Sequence, residues 1–247
     1  MMMYRQPAIF QAFEGVLAAE SMRHGGVSPA PYHSLNLGIN THDTPDHVAT
    51  NRALFLTSLG ITENQLATSF QVHGEEIAIV SSGGRSEGFD ALITDSPNVF
   101  VGVTVADCTP ILIFDSARRV AAAVHAGWKG TAARLVSKTL QTMQQTFGSK
   151  PADCYAYIGT CIDECAFEVG EEVAARFSDS FKRFDVNIGK YFIDLKRANA
   201  AQILDFGLPA TQIEISPFST VLHNDDYFSH RANQGQTGRM MALIGFR

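Results

Sequence analysis

Several common routes to function are missing from this sequence. No basic cluster appears: 19 Lys and Arg stand against 25 Asp and Glu, giving a net charge of -6, so a nucleic-acid-binding face is not expected. No apolar run approaches the ~20 residues of a membrane-spanning helix. The GxGxxG and GxxxxGK[ST] patterns are absent, which excludes the usual dinucleotide and P-loop phosphate sites. No repeat, low-complexity tract or Pro/Gly/Ser linker divides the chain, and the expectation is one domain over residues 1–247. The start, "MMMYRQPAIFQAF", lacks the basic segment, long apolar run and small-residue cleavage site of a secretion signal, which predicts a cytoplasmic protein. There the four cysteines, Cys108, Cys154, Cys161 and Cys165, would be reduced thiols.

What is present is a 45% hydrophobic chain dominated by short runs of Val, Ile, Phe and Ala bounded by Gly, Asp or Ser. "AIFQAF", "QLATSFQV", "EEIAIVSS", "FDALITD", "VFVGVTV", "PILIFD", "RVAAAVH", "CYAYIG" and "RMMALIGF" read as strands. Four segments read as helices. "TPDHVATNRALFLTSLG" has Thr44 as cap and Pro45 at its first position, and "TAARLVSKTLQTMQQTFG" carries an apolar face; "GEEVAARFSDSF" and the segment after Asp194 follow. The pattern predicts an α+β fold of mixed or antiparallel sheets flanked by helices.

Three residues at predicted strand ends carry soft or borderline metal-ligand chemistry: His73 in "SFQVHG", Cys108 in "VADCTP" and His125 in "AVHAGWKG". Neighbouring strands can bring such separated positions together, and two imidazoles, one thiolate and an open fourth position suit a catalytic zinc ion. Such an ion activates water near neutral pH. The same residues also fit a buried cysteine with two hydrogen-bonded histidines, or a Cys108 nucleophile with a histidine base. Asp107 reads as a carboxylate that orients a ligand histidine or carries a proton, or as a turn residue. Lys129 and the start of a helix near Thr131 suggest a place for phosphate. Cys161 or Cys165 would supply a fourth ligand if the metal were structural.

In their order, "SFQVHG", "VADCTP" and "AVHAGWKG" resemble the three central motifs of the YfiH-like, or laccase-domain, family. "RHGGVSPAPYHSLNLG", "IGTCIDECAFEVGEEV", "FIDLKRANAAQI" and "YFSHRANQGQTGR" resemble its flanking segments. The resemblance implies a cysteine-hydrolase-like α+β fold and a zinc site on His73, Cys108 and His125. It also implies a pocket bordered by Arg23, Asn36, Gln71 and the Ser229–Arg231 stretch, including His230. The sequence departs from the family pattern at Thr160, where proline is usual, at Ser219, where cysteine is common, and at Val105, where threonine is frequent.

Family members have been named polyphenol oxidases, purine nucleoside phosphorylases and peptidoglycan editing factors. The eight histidines here include no His-x-His pair, which argues against a trinuclear copper cluster and favours zinc over copper. The resemblance therefore implies a zinc-dependent purine nucleoside enzyme, acting on adenosine- or inosine-type nucleosides by phosphorolysis and on adenosine by deamination. In that reading Lys129 and Arg23 hold the anion, and Asp107, ahead of Glu168, carries the proton. The alternative is an amidohydrolase editing a peptidoglycan precursor through activated water or a Cys108 nucleophile. Either reading makes the partner a small molecule.

Overall fold

The computed structural model describes residues 2–247. In chain order its strands begin with β1 (Tyr4–Arg5), β2 (Val16–Ser21), β3 (Leu66–Phe70), β4 (Ile77–Ile79) and β5 (Gly84–Glu87). They continue with β6 (Ala91–Thr94), β7 (Phe100–Val105), β8 (Thr109–Asp115), β9 (Val120–Ala126) and β10 (Cys154–Ile158). The last are β11 (Glu168–Val169), β12 (Lys182–Asp185), β13 (Lys190–Ile193), β14 (Ile213–Ile215) and β15 (Met240–Phe246). The helices are α1 (Pro45–Ser58), α2 (Trp128–Ala132), α3 (Leu135–Phe147), α4 (Glu171–Ala174) and α5 (Leu195–Phe206).

Two six-stranded mixed sheets, ordered β1-β2-β15-β7-β3-β5 and β14-β10-β8-β9-β6-β4, stack face to face, and a three-stranded sheet β11-β13-β12 stands beside them. Between the large sheets lie Val101, Val103, Ala242 and Ile244 from one and Leu92, Leu112, Phe114 and Ala123 from the other. The outer face of the first sheet is covered by Phe55 and Leu56 of α1. The outer face of the second is covered by α3 and α5 through Val136, Leu140, Met143 and Ile203. The result is a four-layer arrangement of helix, sheet, sheet and helices. Strands β8, β9 and β15 are buried along their whole length, which explains why they read as continuous apolar runs rather than alternating ones.

Several expected elements differ. "AIFQAF" forms no strand: a 3-10 turn at Ala8–Phe10 follows Pro7, and Ile9, Phe10 and Phe13 plug the inter-sheet core. Strand β2 occupies "VLAAES", whose Ala and Glu content gives no strand signal. The expected helix from Thr131 is two helices, α2 starting at Trp128 and α3 at Leu135. They are broken at Arg134, which sits in the left-handed region at φ 60°. "GEEVAARFSDSF" yields only the single turn α4 and a short 3-10 turn. Helix α5 is as expected, with the Asp194 carboxylate accepting the Arg197 N–H at its start.

The departure at Thr160 has a structural reason. Glu20 of β2 is fully buried, and its carboxylate accepts the Tyr157 hydroxyl at 2.7 Å, the Thr160 N–H at 2.6 Å and the Thr160 hydroxyl at 2.9 Å. Proline could supply neither of the two donors from residue 160. Thr160→Pro is therefore expected to destabilise the fold by about 2–4 kcal/mol, because two hydrogen bonds to a buried carboxyl group are lost. An unchanged denaturant midpoint would refute this. Ser219, the second departure, forms an isolated β-bridge with Cys161, and its hydroxyl accepts the Val221 and Leu222 N–H groups. Val105, the third, is buried against Tyr227, Phe228 and Met240.

Candidate metal centre and active-site cavity

The chain places His73, Cys108 and His125 together at one end of the sheet sandwich. His73 lies in the turn after β3, Cys108 in the short link from β7 to β8, and His125 near the end of β9. Their ligand atoms all lie within 4.8 Å of one another, and the two imidazole rings meet edge to face with centroids 4.8 Å apart. No other group of three such residues is close enough among the described residues. Cys161 is buried with its thiol against the Ile162 carbonyl, and Cys165 is exposed; neither belongs to the cluster.

The carboxylate behind the cluster is Asp90, just before β6. Its Oδ1 accepts the His125 Nδ1–H at 2.7 Å and the His73 N–H at 3.0 Å. Its Oδ2 accepts the N–H groups of Gly74 at 2.7 Å and Val72 at 3.1 Å. These bonds hold His73 at a left-handed φ of 57°. With Nδ1 of His125 committed to Asp90, Nε2 is left facing the cluster, the arrangement typical of metal-ligating histidines. Asp107, proposed from sequence for this orienting role, does something else. Its carboxylate accepts the Thr220 hydroxyl at 2.5 Å, the Ser229 hydroxyl at 2.7 Å and the Arg231 N–H at 2.6 Å. It ties the C-terminal loop to the cavity wall.

Gly127 shows how closely this region is fitted to a sulfur. A Cβ at this position would stand 2.9 Å from Cys108 Sγ and 3.4 Å from the His73 ring, although the backbone at Gly127, φ -67° and ψ 178°, suits any residue. The turn expected to bind phosphate instead packs on the ligands. Gly127→Ala is expected to weaken metal affinity about tenfold, in the range found when groups behind a ligand are disturbed. Titration against a chromophoric chelator would measure it, and an unchanged affinity would contradict the assignment.

Burial opposes the Cys108 thiolate, but His125 and His73 outweigh it and bring the pKa down from 9.0 to about 6. Burial likewise opposes an imidazolium at His125, but Cys108 and Asp90 raise its pKa from 6.5 to about 9. In metal-free protein the two thus form a thiolate–imidazolium pair. Taken alone, the Cys108 shift gives stability present above 9.0 that is lost as pH falls through about 6. The His125 shift gives stability present below 6.5 that is lost as pH rises through about 9. The folded pair and the unfolded chain both hold one proton across neutral pH, so the pair makes stability nearly flat there. The expected result in metal-free protein is a thiolate absorbance that persists at neutral pH and vanishes as pH falls through about 6. The signal should be absent in Cys108→Ser. A thiol that ionises only near 9.0 would contradict the pairing.

The cluster opens onto a cavity of about 450 Å³ whose wall includes Phe70, Gln71, Asp107, His230, Arg231 and Arg239. Gln71 is fixed there by Thr104, whose N–H and hydroxyl donate to its Oε1 while its Nε2 donates to the Thr104 carbonyl. His230 and Arg231 lie on the wall as the resemblance implied. Arg23, Asn36 and Lys129 do not. Arg23 donates to the carbonyls of His33 and Asn224 and stacks on Phe228, joining the Gly-rich segment to the C-terminal loop. Asn36 is fully buried, and its Oδ1 accepts the N–H groups of Gly38 and Arg239, both on the cavity wall. Lys129 is exposed beside Trp128. Glu168 offers its backbone carbonyl to Arg231. Arg239, the last residue of the "YFSHRANQGQTGR" segment, was not singled out from the sequence; the return of β15 beside β7 brings it to the wall.

Fold and site together define a four-layer α+β protein with a His–Cys–His cluster at the mouth of a cavity. Residues 17–247 match the family described as multi-copper polyphenol oxidoreductase laccase, and the chain belongs to that family. It is 36% identical over 238 residues to a purine nucleoside phosphorylase of Bacteroides thetaiotaomicron, covering 90% of this chain and 88% of that protein. Purine nucleoside phosphorylase YlmD of Bacillus subtilis is 30% identical over 247 residues, covering 94% and 89%. The crystal structure of YlmD from Geobacillus stearothermophilus superposes with a TM-score of 0.92 at 31% identity, covering 99% of both chains. That of a YfiH protein from Bacillus licheniformis gives 0.91 at 32%, covering 94% and 93%. No helix among the described residues is long and apolar enough to cross a membrane.

Proposed function

We propose that this chain is a zinc-dependent purine nucleoside phosphorylase that also supports deamination of adenosine. The observation that carries the reading is the His73–Cys108–His125 cluster facing an open cavity, with no fourth protein ligand among the described residues. Two imidazoles and a thiolate, with the His125 ring and the His73 backbone N–H fixed by Asp90, suit zinc, and the sulfur-sized space beside Gly127 fits a ligand set. When bound, zinc supplies Lewis-acid activation of an oxygen nucleophile.

Phosphorolysis requires a phosphate oxygen to attack C1′ of the nucleoside as the bond from C1′ to the purine nitrogen breaks, releasing ribose 1-phosphate and the base. The chain's part is to orient the nucleoside, exclude water and deliver a proton to the leaving base. Gln71, locked by Thr104, gives the wall a fixed shape, and Phe70 offers a ring face for stacking. Both oxygens of Asp107 are engaged by the C-terminal loop. His230, which makes no side-chain hydrogen bond to a described residue while lining the cavity, is the better candidate for the proton.

A second reading rests on a specific geometry: Cys108 faces His125, which Asp90 orients, the nucleophile–base–carboxylate order of a cysteine hydrolase. Without metal, that set favours hydrolysis of an amide such as one in a peptidoglycan precursor. One experiment separates the two. Metal-quantified protein is given adenosine or inosine with and without phosphate, and base, inosine and ribose 1-phosphate are followed. Phosphate-dependent base release that tracks zinc content supports phosphorolysis, and inosine formed from adenosine without phosphate supports deamination. Absence of all products at full zinc loading, with rapid alkylation of Cys108 in the active protein, would overturn the purine reading in favour of the hydrolase.

A further inference from the structure

Among the described residues, seven of the 19 lysines and arginines meet a carboxylate. Arg52 meets Glu63, Arg118 meets Asp153 at 2.8 Å and Lys196 meets Asp163 at 2.8 Å. Arg239 has no such partner among the described residues, although its side chain is only partly exposed and lies on the cavity wall with the metal cluster. Only its Nη1 is engaged, donating to the Thr237 carbonyl at 2.8 Å and the Gly238 carbonyl at 2.9 Å. Nε and Nη2 have no hydrogen-bond acceptor among the described residues.

The side chain is also rigidly placed. Its backbone N–H is held by Asn36 Oδ1 at 2.9 Å, and it presses so closely on Gly38 that a Cβ there would come within 2.5 Å of Arg239 Cγ. Arg231 and His230 stand on the same wall, and the Arg231 guanidinium donates only to the carbonyls of Ala166 and Glu168. The one carboxylate among the lining residues, Asp107, is occupied by Thr220, Ser229 and the Arg231 N–H. Cys108 and Asp107 act on Arg239 only through space, without an ion-pair contact, and a guanidinium fixed in a cavity with two donors unmet is suited to receive an oxyanion.

We propose that Arg239 is the oxyanion-binding residue of this cavity and that its ligand is inorganic phosphate, with Asn36 and Gly38 as positioning residues. The oxyanion assignment stands on this geometry alone; the choice of phosphate rests on the phosphorylase reading.

The test is titration calorimetry of metal-loaded protein with inorganic phosphate, using wild type, Arg239→Met, Arg239→Lys and the surface control Lys150→Met. Phosphate affinity should fall at least about tenfold in Arg239→Met and less in Arg239→Lys, with zinc content unchanged and Lys150→Met like wild type. In the wild-type protein, which avoids any folding defect of the variants, phosphate should slow phenylglyoxal modification of Arg239 as mapped by mass spectrometry. Equal phosphate affinity in wild type and Arg239→Met would overturn the proposal, as would phosphate failing to protect Arg239. Acetate competing as well as phosphate would overturn the choice of phosphate and mark a carboxylate site. Phosphate bound through Arg239 without any phosphorolysis would sink the phosphorylase reading and leave the oxyanion site standing.

Discussion

Replacing Cys108 with alanine is expected to abolish stoichiometric zinc binding and to cut kcat/KM for nucleoside phosphorolysis by at least about 1,000-fold, since Lewis-acid activation is worth several kcal/mol. His73→Ala should behave alike, because two remaining donors make a weak zinc site. Neither change should threaten the fold. His73 is exposed and Cys108 sits at the cavity wall, so metal-free variants and metal-free wild type should unfold within about 1 kcal/mol of each other. Zinc content, circular dichroism and turnover on the same preparations make the comparison. Turnover near wild type in either folded variant would refute the assignment of these residues. The chemical role of Cys108 is separable by alkylation. A ligand thiolate should resist iodoacetamide until a chelator removes the ion, whereas a nucleophile should react in the active protein.

The second large effect concerns Asp90. It is fully buried and accepts four hydrogen bonds, one from the His125 ring and three from consecutive backbone N–H groups at residues 72–74. Burial opposes the Asp90 carboxylate, but these bonds and the His125 charge outweigh it and hold its pKa below the ordinary value. Asp90→Ala leaves four donors without an acceptor and is expected to cost about 4 kcal/mol or more of stability, enough to unfold much of the protein. Asp90→Asn keeps the shape but turns an amide NH₂ toward one of the donor groups. It should fold, yet bind zinc about 10–100-fold more weakly, because the His125 ring loses its fixed tautomer or the His73 turn loses its anchor. Thermal unfolding and chelator competition measure the two effects. An Asp90→Asn protein with wild-type affinity would show that the carboxylate serves folding alone.

These two residues also mark how far the sequence could be read. His73, Cys108 and His125 were visible because soft or imidazole ligands interrupted apolar runs at strand ends. Asp90 was hidden in "FDALITD", where an aspartate before a strand looks like punctuation. Its partners lie 16 to 35 residues away; the pairing of β6 with β9 brings His125 to it, and the turn after β3 brings the N–H groups of residues 72–74. The assignment of the orienting role to Asp107 followed from adjacency in sequence, but the left-handed turn at Asp107, φ 87°, directs that side chain to the C-terminal loop. Strands β7, β8, β9 and β15 were legible because burial on both faces leaves a continuous apolar run. Strand β2 was not, since its central residues are Ala18, Ala19 and Glu20, and only the tertiary partners Tyr157 and Thr160 make a buried glutamate tolerable.

The path of the chain through Ala106–Cys108 has a mechanical meaning. Those residues carry it from β7 in one large sheet to β8 in the other, while His73 follows a strand of the first sheet and His125 belongs to the second. An ion shared by the three is therefore a clasp across the open end of the sandwich. It should slow unfolding as well as shift the equilibrium. Stripping it should let amides near His73 and Cys108 exchange faster, while the far ends of β8 and β9 stay protected.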